Sequence, residues 1–275
     1  TGLWDRIVRD DRAETEFLTV ASALASFDPS NLKWQALAQA LVDRLVSENP
    51  LFLKIWKESF APIKSFLVPP LKRVLQEKGV SSDSRKIIAA NILADYVSNS
   101  PEDLADLIMN SDEALFAIFL PVAKQNLRAC IPYFELELDK DVYVDQSTNL
   151  REKNAARQAN AAVFLMLHGR TQKVWPLFKH GMIPSVRSFL IHRVASFKVN
   201  PSVVLARVSE EKDVSARRAL YLLLGEYDLA SFQGEEKDLL IKNLQNVYKN
   251  DPDPGIHSSV EWLLKTWDEA DFVET

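Results

Sequence analysis

Three segments of the chain share one pattern at a fixed interval. They are AARQANAAVFLML around Arg157, SVRSFLIHRVASF around Arg187 and VSARRALYLLLGEY around Arg217, and their arginines stand 30 residues apart. A fourth copy, GIHSSVEWLLKTW, follows after 40 residues with His257 in the arginine's place. Self-similarity at such a period predicts supersecondary units stacked in a row, each resting on its neighbours, rather than one closed globule. Only 7 of the 275 residues are glycine. With Leu and Ala frequent, the units are expected to be helical and the fold all-α.

Apolar spacing and stop signals mark the helices. In the last units a shorter helix alternates with a longer one: Thr171–Lys179 with Ser185–Phe197, Pro201–Val208 with Asp213–Tyr227, and Glu235–Tyr248 with Pro254–Trp267. Val186, Leu190, Val194 and Phe197 repeat at the offsets of Ile256, Val260, Leu264 and Trp267. One stripe on one face of each longer helix should therefore meet the neighbouring unit. Asn160 interrupts the stripe in the first copy, and the polar loop Ser231–Asp238 accounts for the longer last interval. Asp213 and Asp253 read as helix caps, with Pro254 suited to a first turn.

The earlier half is less regular. Helices are expected at Arg12–Ser26, Leu32–Val46, Leu51–Phe60, Asp83–Val97, Pro101–Met109, Asp112–Phe119 and Pro121–Leu138. Kinks or breaks are expected at Pro62 and at Pro69–Pro70. Asp139–Asn149 (DKDVYVDQSTN) has no helical pattern. The chain thus divides into an irregular helical half at 1–138, a polar loop at 139–150, the repeats at 151–267 and a tail at 268–275.

Composition narrows the function. A net charge of −5 argues against nucleic-acid binding, which needs clustered cations. The lone Cys130 allows no internal disulfide and reads as a buried small hydrophobe, so a reducing, cytoplasmic setting is expected. No run approaches the ~18 apolar residues of a membrane helix, and TGLWDRIVRDD is not a signal peptide. The abrupt ends suggest a piece excised from a longer chain. The glycines cannot build a phosphate loop, and HExxH, CxxC and GxSxG are missing. His168, His180, His192 and His257 fall in different units. His257 and Glu261 share a helix face but are too few to hold a metal. No cofactor, metal or catalytic residue is expected.

The arginines carry two readings. Arg157, Arg187 and Arg217, flanked by Arg193 and Arg218, could form an internal ladder tying turn to helix, with Asp213 and Asp253 as partners. They could equally form a basic stripe that binds a partner's acidic peptide or phosphate. Trp34, Trp56 and Trp175 are expected in helix cores, and Trp262 and Trp267 are expected to seal the last unit. An exposed one would be a binding anchor.

A helix pair with an Asp/Pro turn and an early arginine in its second helix resembles a HEAT-like (armadillo-like) repeat of the bacterial, short-period kind. YKNDPDPGIHSSVEWLLKTW, VWPLFKHGMIPSVRSFLIHR and DVSARRALYLLLGEY, with FLTVASALASFDPSN and ILADYVSNSPEDLADLIM upstream, resemble a region of large multidomain bacterial proteins. There it lies between a Ser/Thr kinase domain and a formylglycine-generating-enzyme-like (sulfatase-modifying-factor) domain. The likeness implies a right-handed superhelical α-solenoid of HEAT-like helix pairs. It also implies a non-catalytic scaffold for a protein partner or for domains of the same polypeptide. The kinase and oxidase signatures themselves are missing. Two other functions stay open. One is a HEAT-like enzyme of the DNA glycosylase or bilin lyase type, though the basic concave face a glycosylase needs is not apparent. The other is an intramolecular regulatory segment for a kinase or protease domain.

Overall fold

The computed structural model describes residues 4, 7, 14–77, 79, 82–140, 147–181 and 184–269. Among the described residues there are fourteen α-helices, four short 3-10 helices and no strand. Several expected features lie partly outside them: the start of the first helix at Arg12, half of the polar loop (141–146), residues 182 and 183 of the turn before Ser185, and the tail from 270. Among the described residues no helix is long and apolar enough to cross a membrane.

Two compact units divide the chain: Thr1–Leu107 with Ala114–Leu127, and Ile108–Glu113 with Arg128–Thr275. The polar loop read as a boundary falls inside the second unit.

The first unit contains α1 (Glu14–Phe27), α2 (Trp34–Leu45), α3 (Leu53–Phe60), α4 (Lys64–Val74) and α5 (Ser82–Tyr96), with most of α6 (Pro101–Met109) and α7 (Glu113–Gln125). α1 packs on α2 and α3, α2 on α4, and α4 on α5. Trp34 is fully buried here, and its indole N–H donates to the Asp28 carbonyl at 3.0 Å. Proline punctuates this unit differently from expectation. Pro62 sits in the 3-10 turn Ala61–Ile63, but Pro69 and Pro70 lie inside α4 and Pro121 inside α7, with no break at any of the three. An interior proline costs about 3 kcal/mol. Burial of Leu67, Leu71 and Val74 on α4, and of Phe116, Phe119 and Ala123 on α7, offsets it. The break falls instead at Asn126, whose amide donates to the Ser98 carbonyl at 2.8 Å.

The second unit contains α8 (Leu127–Leu138, from Arg128), α9 (Thr148–Leu167), α10 (Ser185–Ser196), α11 (Pro201–Glu210), α12 (Val214–Leu224), α13 (Glu235–Asn250) and α14 (Pro254–Thr266). The second helices of the pairs follow one another in contact, α9 on α10, α10 on α12 and α12 on α14; the expected alternation of lengths fails in the last pair, where α13 has 16 residues and α14 has 13. α11 packs on α12, α13 on α14, and the 3-10 segment Trp175–Phe178 against α10 and α12. The recurring stripe is what they bury: Val186, Leu190 and Val194 on α10, and Ile256, Val260 and Leu264 on α14 with Trp267 beyond it. Two expectations are corrected. Thr148–Leu150 is helical rather than loop, because the Ser147 hydroxyl accepts from the Leu150 N–H and caps α9. The helix expected at Thr171–Lys179 is only the 3-10 turn, because Pro176 supplies no donor and Val174 and Phe178 pin so short a segment from both sides.

Three helices of this unit end alike. Arg170 N–H bonds Leu165 O, Val199 N–H bonds Val194 O, and Glu269 N–H bonds Leu264 O. The residue before each donor, Gly169, Lys198 or Asp268, takes a left-handed φ of 69°, 60° or 57°. This is the Schellman closure, which satisfies carbonyls that a helix end leaves free.

Candidate interaction surface

α10 is tied to α12, and α12 to α14, near both ends. Near the N-terminal end the arginines make the ties. Arg187 Nη2 donates to Ser215 O at 2.8 Å. One unit on, Arg217 Nη2 donates to the Asp251 carboxylate at 2.7 Å. Arg218 grips Asp253, the N-cap of α14, through Nε and Nη2 at 2.9 and 2.6 Å. At the C-terminal end aromatic residues take over. The Tyr227 hydroxyl donates to Val199 O, and the Trp267 indole N–H donates to Tyr227 O, each at 3.0 Å. Phe197, Tyr227 and Trp267 occupy the same place in their copies, ten residues after the arginine or His257.

The other two arginines work inward. Arg157 binds both carboxylate oxygens of Glu137 at 3.2 and 3.3 Å, and Lys140 binds the same group at 2.7 Å. The Glu137 side chain is only 5% exposed. Burial alone would raise its pKa, but the bonds from Arg157 and Lys140 outweigh it and hold the carboxyl below its ordinary range. Arg193 Nη1 donates to Ala156 O at 2.9 Å and to Asn160 Oδ1 at 2.7 Å, with its guanidinium over the Phe189 ring. The Asn160 amide in turn donates to the carbonyls of Ile108, Met109 and Ser111, at 3.3, 3.1 and 2.7 Å. That explains the polar residue in an apolar stripe. Asn160 satisfies the last two carbonyls of α6, and that of Ser111 just beyond it, from some fifty residues away.

Of the two proposed aspartate partners, Asp253 takes Arg218. Asp213 caps its own helix, accepting from the Ser215 and Ala216 N–H groups, with Lys179 at 4.0 Å. Bonds from Ser215 and Ala216 keep the Asp213 pKa low, and the Arg218 bond does the same for Asp253. Arg187 is the least committed arginine. Its Nε is buried without a partner, and burial together with the Arg218 charge lowers its pKa.

Two glycines bring the α14 unit close. A Cβ on Gly255 would overlap the Arg218 guanidinium, and one on Gly225 would overlap the Trp262 ring. Trp267 is buried as expected, but Trp262 is 41% exposed. It is stacked against the end of α12 and does not seal the unit. The cause is its place four residues before Thr266 on the outward side of α14, beside Glu261 and Lys265, which pair at 2.7 Å. Arg218, with 40% of its side chain exposed, and Trp262 thus carry accessible surface at the α12–α14 contact. Sequence spacing could have pointed here only through Gly225, a glycine directly after the LYLLL run.

The remaining chemistry-bearing residues are dispersed. His257 hydrogen-bonds the Asp251 carbonyl, while Glu261 turns to Lys265. Cys130 is a buried free thiol whose pKa burial raises. Among the described residues no group of three or more His, Cys, Asp or Glu is placed to hold a metal ion.

No family model matches this chain, and comparison with curated proteins and with solved structures likewise found no match.

Proposed function

We propose that this chain is a non-catalytic interaction scaffold, a right-handed α-solenoid of HEAT-like helix pairs that presents its helices to a protein partner or to domains of the same polypeptide. The observation that carries the reading is the tie repeated from α10 to α12 and from α12 to α14, arginine at one end and aromatic at the other. Units held by nearest-neighbour bonds build extended surfaces, which suit recognition. The resemblance to the helical segment of kinase- and formylglycine-generating-enzyme-like multidomain proteins agrees with a partner in the same polypeptide. In this reading Arg157, Arg193 and Arg217 serve mainly as internal ties. Arg187 and Arg218 are the members of the row with capacity for an acidic group, and Trp262 is the apolar anchor beside them.

Cross-linking followed by mass spectrometry, on the protein expressed in its native cells, tests this. The expected result is a reproducible cross-linked protein or attached domain, with links at the α12–α14 contact. Arg218→Ala and Trp262→Ala, checked for retained helicity, should each lose it. Links scattered without preference, or unchanged in both variants, would overturn this placement.

A further inference from the structure

α11 packs on α12 and α13 on α14. The polar stretch expected as a loop at Ser231–Asp238 is a loop only to Gly234; Glu235–Asp238 already form the first turn of α13. Over α12, helices α11 and α13 leave a groove of about 440 Å³, inside the ~300–1,000 Å³ range of ligand pockets. One wall is a stripe on α13, Leu240, Leu244 and Val247 at i, i+4 and i+7, with Leu239 beside it; Tyr221 and Leu224 line the α12 side. Leu239 is 60% exposed, although it borders an apolar surface that could bury it.

The charges around the groove are not balanced. Glu211 is already paired with Arg207, and Arg217 with Asp251. Glu236 lines the groove, is exposed, and makes no ion pair among the described residues. Glu235, Lys237 and Asp238 stand on the same first turn of α13. Acids there favour the helix dipole, and of this turn Glu236 borders the groove, an unpaired negative charge at the edge of its apolar lining.

We propose that this groove receives an amphipathic helical segment of a partner protein. Its apolar residues at helical spacing seat between α11 and α13, and its flanking lysines or arginines meet Glu236. Helix-in-groove recognition needs this combination of an apolar stripe and a charged edge. The inference rests on the scaffold reading and gives that scaffold a defined docking site separate from Trp262.

The test uses the full chain and two fluorescein-labelled synthetic helices of about 15 residues, with leucines at i, i+4 and i+7 and either lysine or glutamate elsewhere. Fluorescence anisotropy should show the lysine peptide bound at least about tenfold more tightly than the glutamate peptide. Leu239→Ser should weaken the lysine peptide by about tenfold. Glu236→Lys should do likewise and shift preference toward the glutamate peptide. Both positions are exposed, and circular dichroism would verify that both variants fold. No binding of the lysine peptide, no preference between peptides, or unchanged affinity in Leu239→Ser would overturn the proposal. If the peptides fail while the cross-linked partner at the α12–α14 contact persists, only the groove falls. If both fail, the scaffold reading falls with it.

Discussion

In the first unit the long-range polar bonds each occur once. Arg85 gathers Asp43, Ser47 and Glu77. Lys72 reaches Asp103 at 2.6 Å, and the Tyr96 hydroxyl donates to Lys57 O at 3.0 Å. In the second unit, bonds of one kind recur at the repeat interval, and Asn200, Asp213 and Asp253 cap α11, α12 and α14. Both units bury aromatic and aliphatic side chains completely. The difference therefore lies in how register is fixed rather than in how much is buried. A unique network fixes one arrangement, whereas a recurring tie fixes a neighbour relation that can be propagated.

The largest expected effect would break the first unit. Trp34→Ala removes a fully buried indole and its bond to Asp28 O, and should cost about 3–5 kcal/mol. Denaturant titration would give the loss. Hydrogen exchange should place it in α1–α5 more than in α9–α14; equal loss in both would show that the two units unfold together. The matching lesion in the second unit is Glu137→Gln. It removes the buried negative charge that Arg157 and Lys140 share, with an expected loss of about 3 kcal/mol. Replacing both partners by apolar residues should recover much of that.

Acid should separate the units further. Glu137, Glu211, Asp213, Asp251 and Asp253 in the second unit all have lowered pKa values. In the first unit Asp28 and Asp103 do. A carboxylate with a depressed folded pKa contributes stability above its unfolded value near 4, and loses that contribution as pH falls through the folded value. Lowering pH from about 6 to about 3 should therefore weaken protection in α9–α14 more steeply than in α1–α5. Hydrogen exchange across that range would sharpen the comparison, and parallel loss in both would remove it.

The contrast also decides what could be read in advance. Helix type and the repeated stripe were legible, because Val186, Leu190 and Val194 obey a local period that burial then uses. The arginines' recurrence was legible from their spacing, and Asp253 was legible as a partner because it reads as a helix cap, but Ser215 and Asp251 were not. These two lie about 28 and 34 residues beyond Arg187 and Arg217, in turns whose position depends on how units stack. Asn160 looked like a flaw in the stripe because its three carbonyl partners, Ile108 and Met109 at the end of α6 and Ser111 just beyond it, lie some fifty residues back. Pro69, Pro70 and Pro121 were misread for a related reason. Propensity counts the missing donor, and only the tertiary burial of Leu67, Leu71 and Phe119 shows what outweighs it.

Smaller effects probe the repeat's contact surfaces. Gly225→Ala should push Trp262 outward and cost about 1–2 kcal/mol, read as a red shift in tryptophan emission. Gly255→Ala should displace Arg218 from Asp253. An unshifted spectrum in Gly225→Ala would mean that the ring is not held against α12.

The smallest effect concerns a helix end. Gly169, Lys198 and Asp268 occupy equivalent left-handed positions, but only the first is the residue that tolerates this φ without strain. A side chain there costs roughly 1–2 kcal/mol, and glycine returns part of that through the extra freedom it gives the unfolded chain. Lys198→Gly should therefore stabilise the protein by a few tenths to about 1 kcal/mol. Asp268→Gly should gain less, because aspartate tolerates this region better than lysine. Thermal unfolding would resolve the order. A destabilised Lys198→Gly would mean that the lysine stem contributes packing that outweighs its strain, so that the three helix ends share a backbone shape but not a common energetic logic.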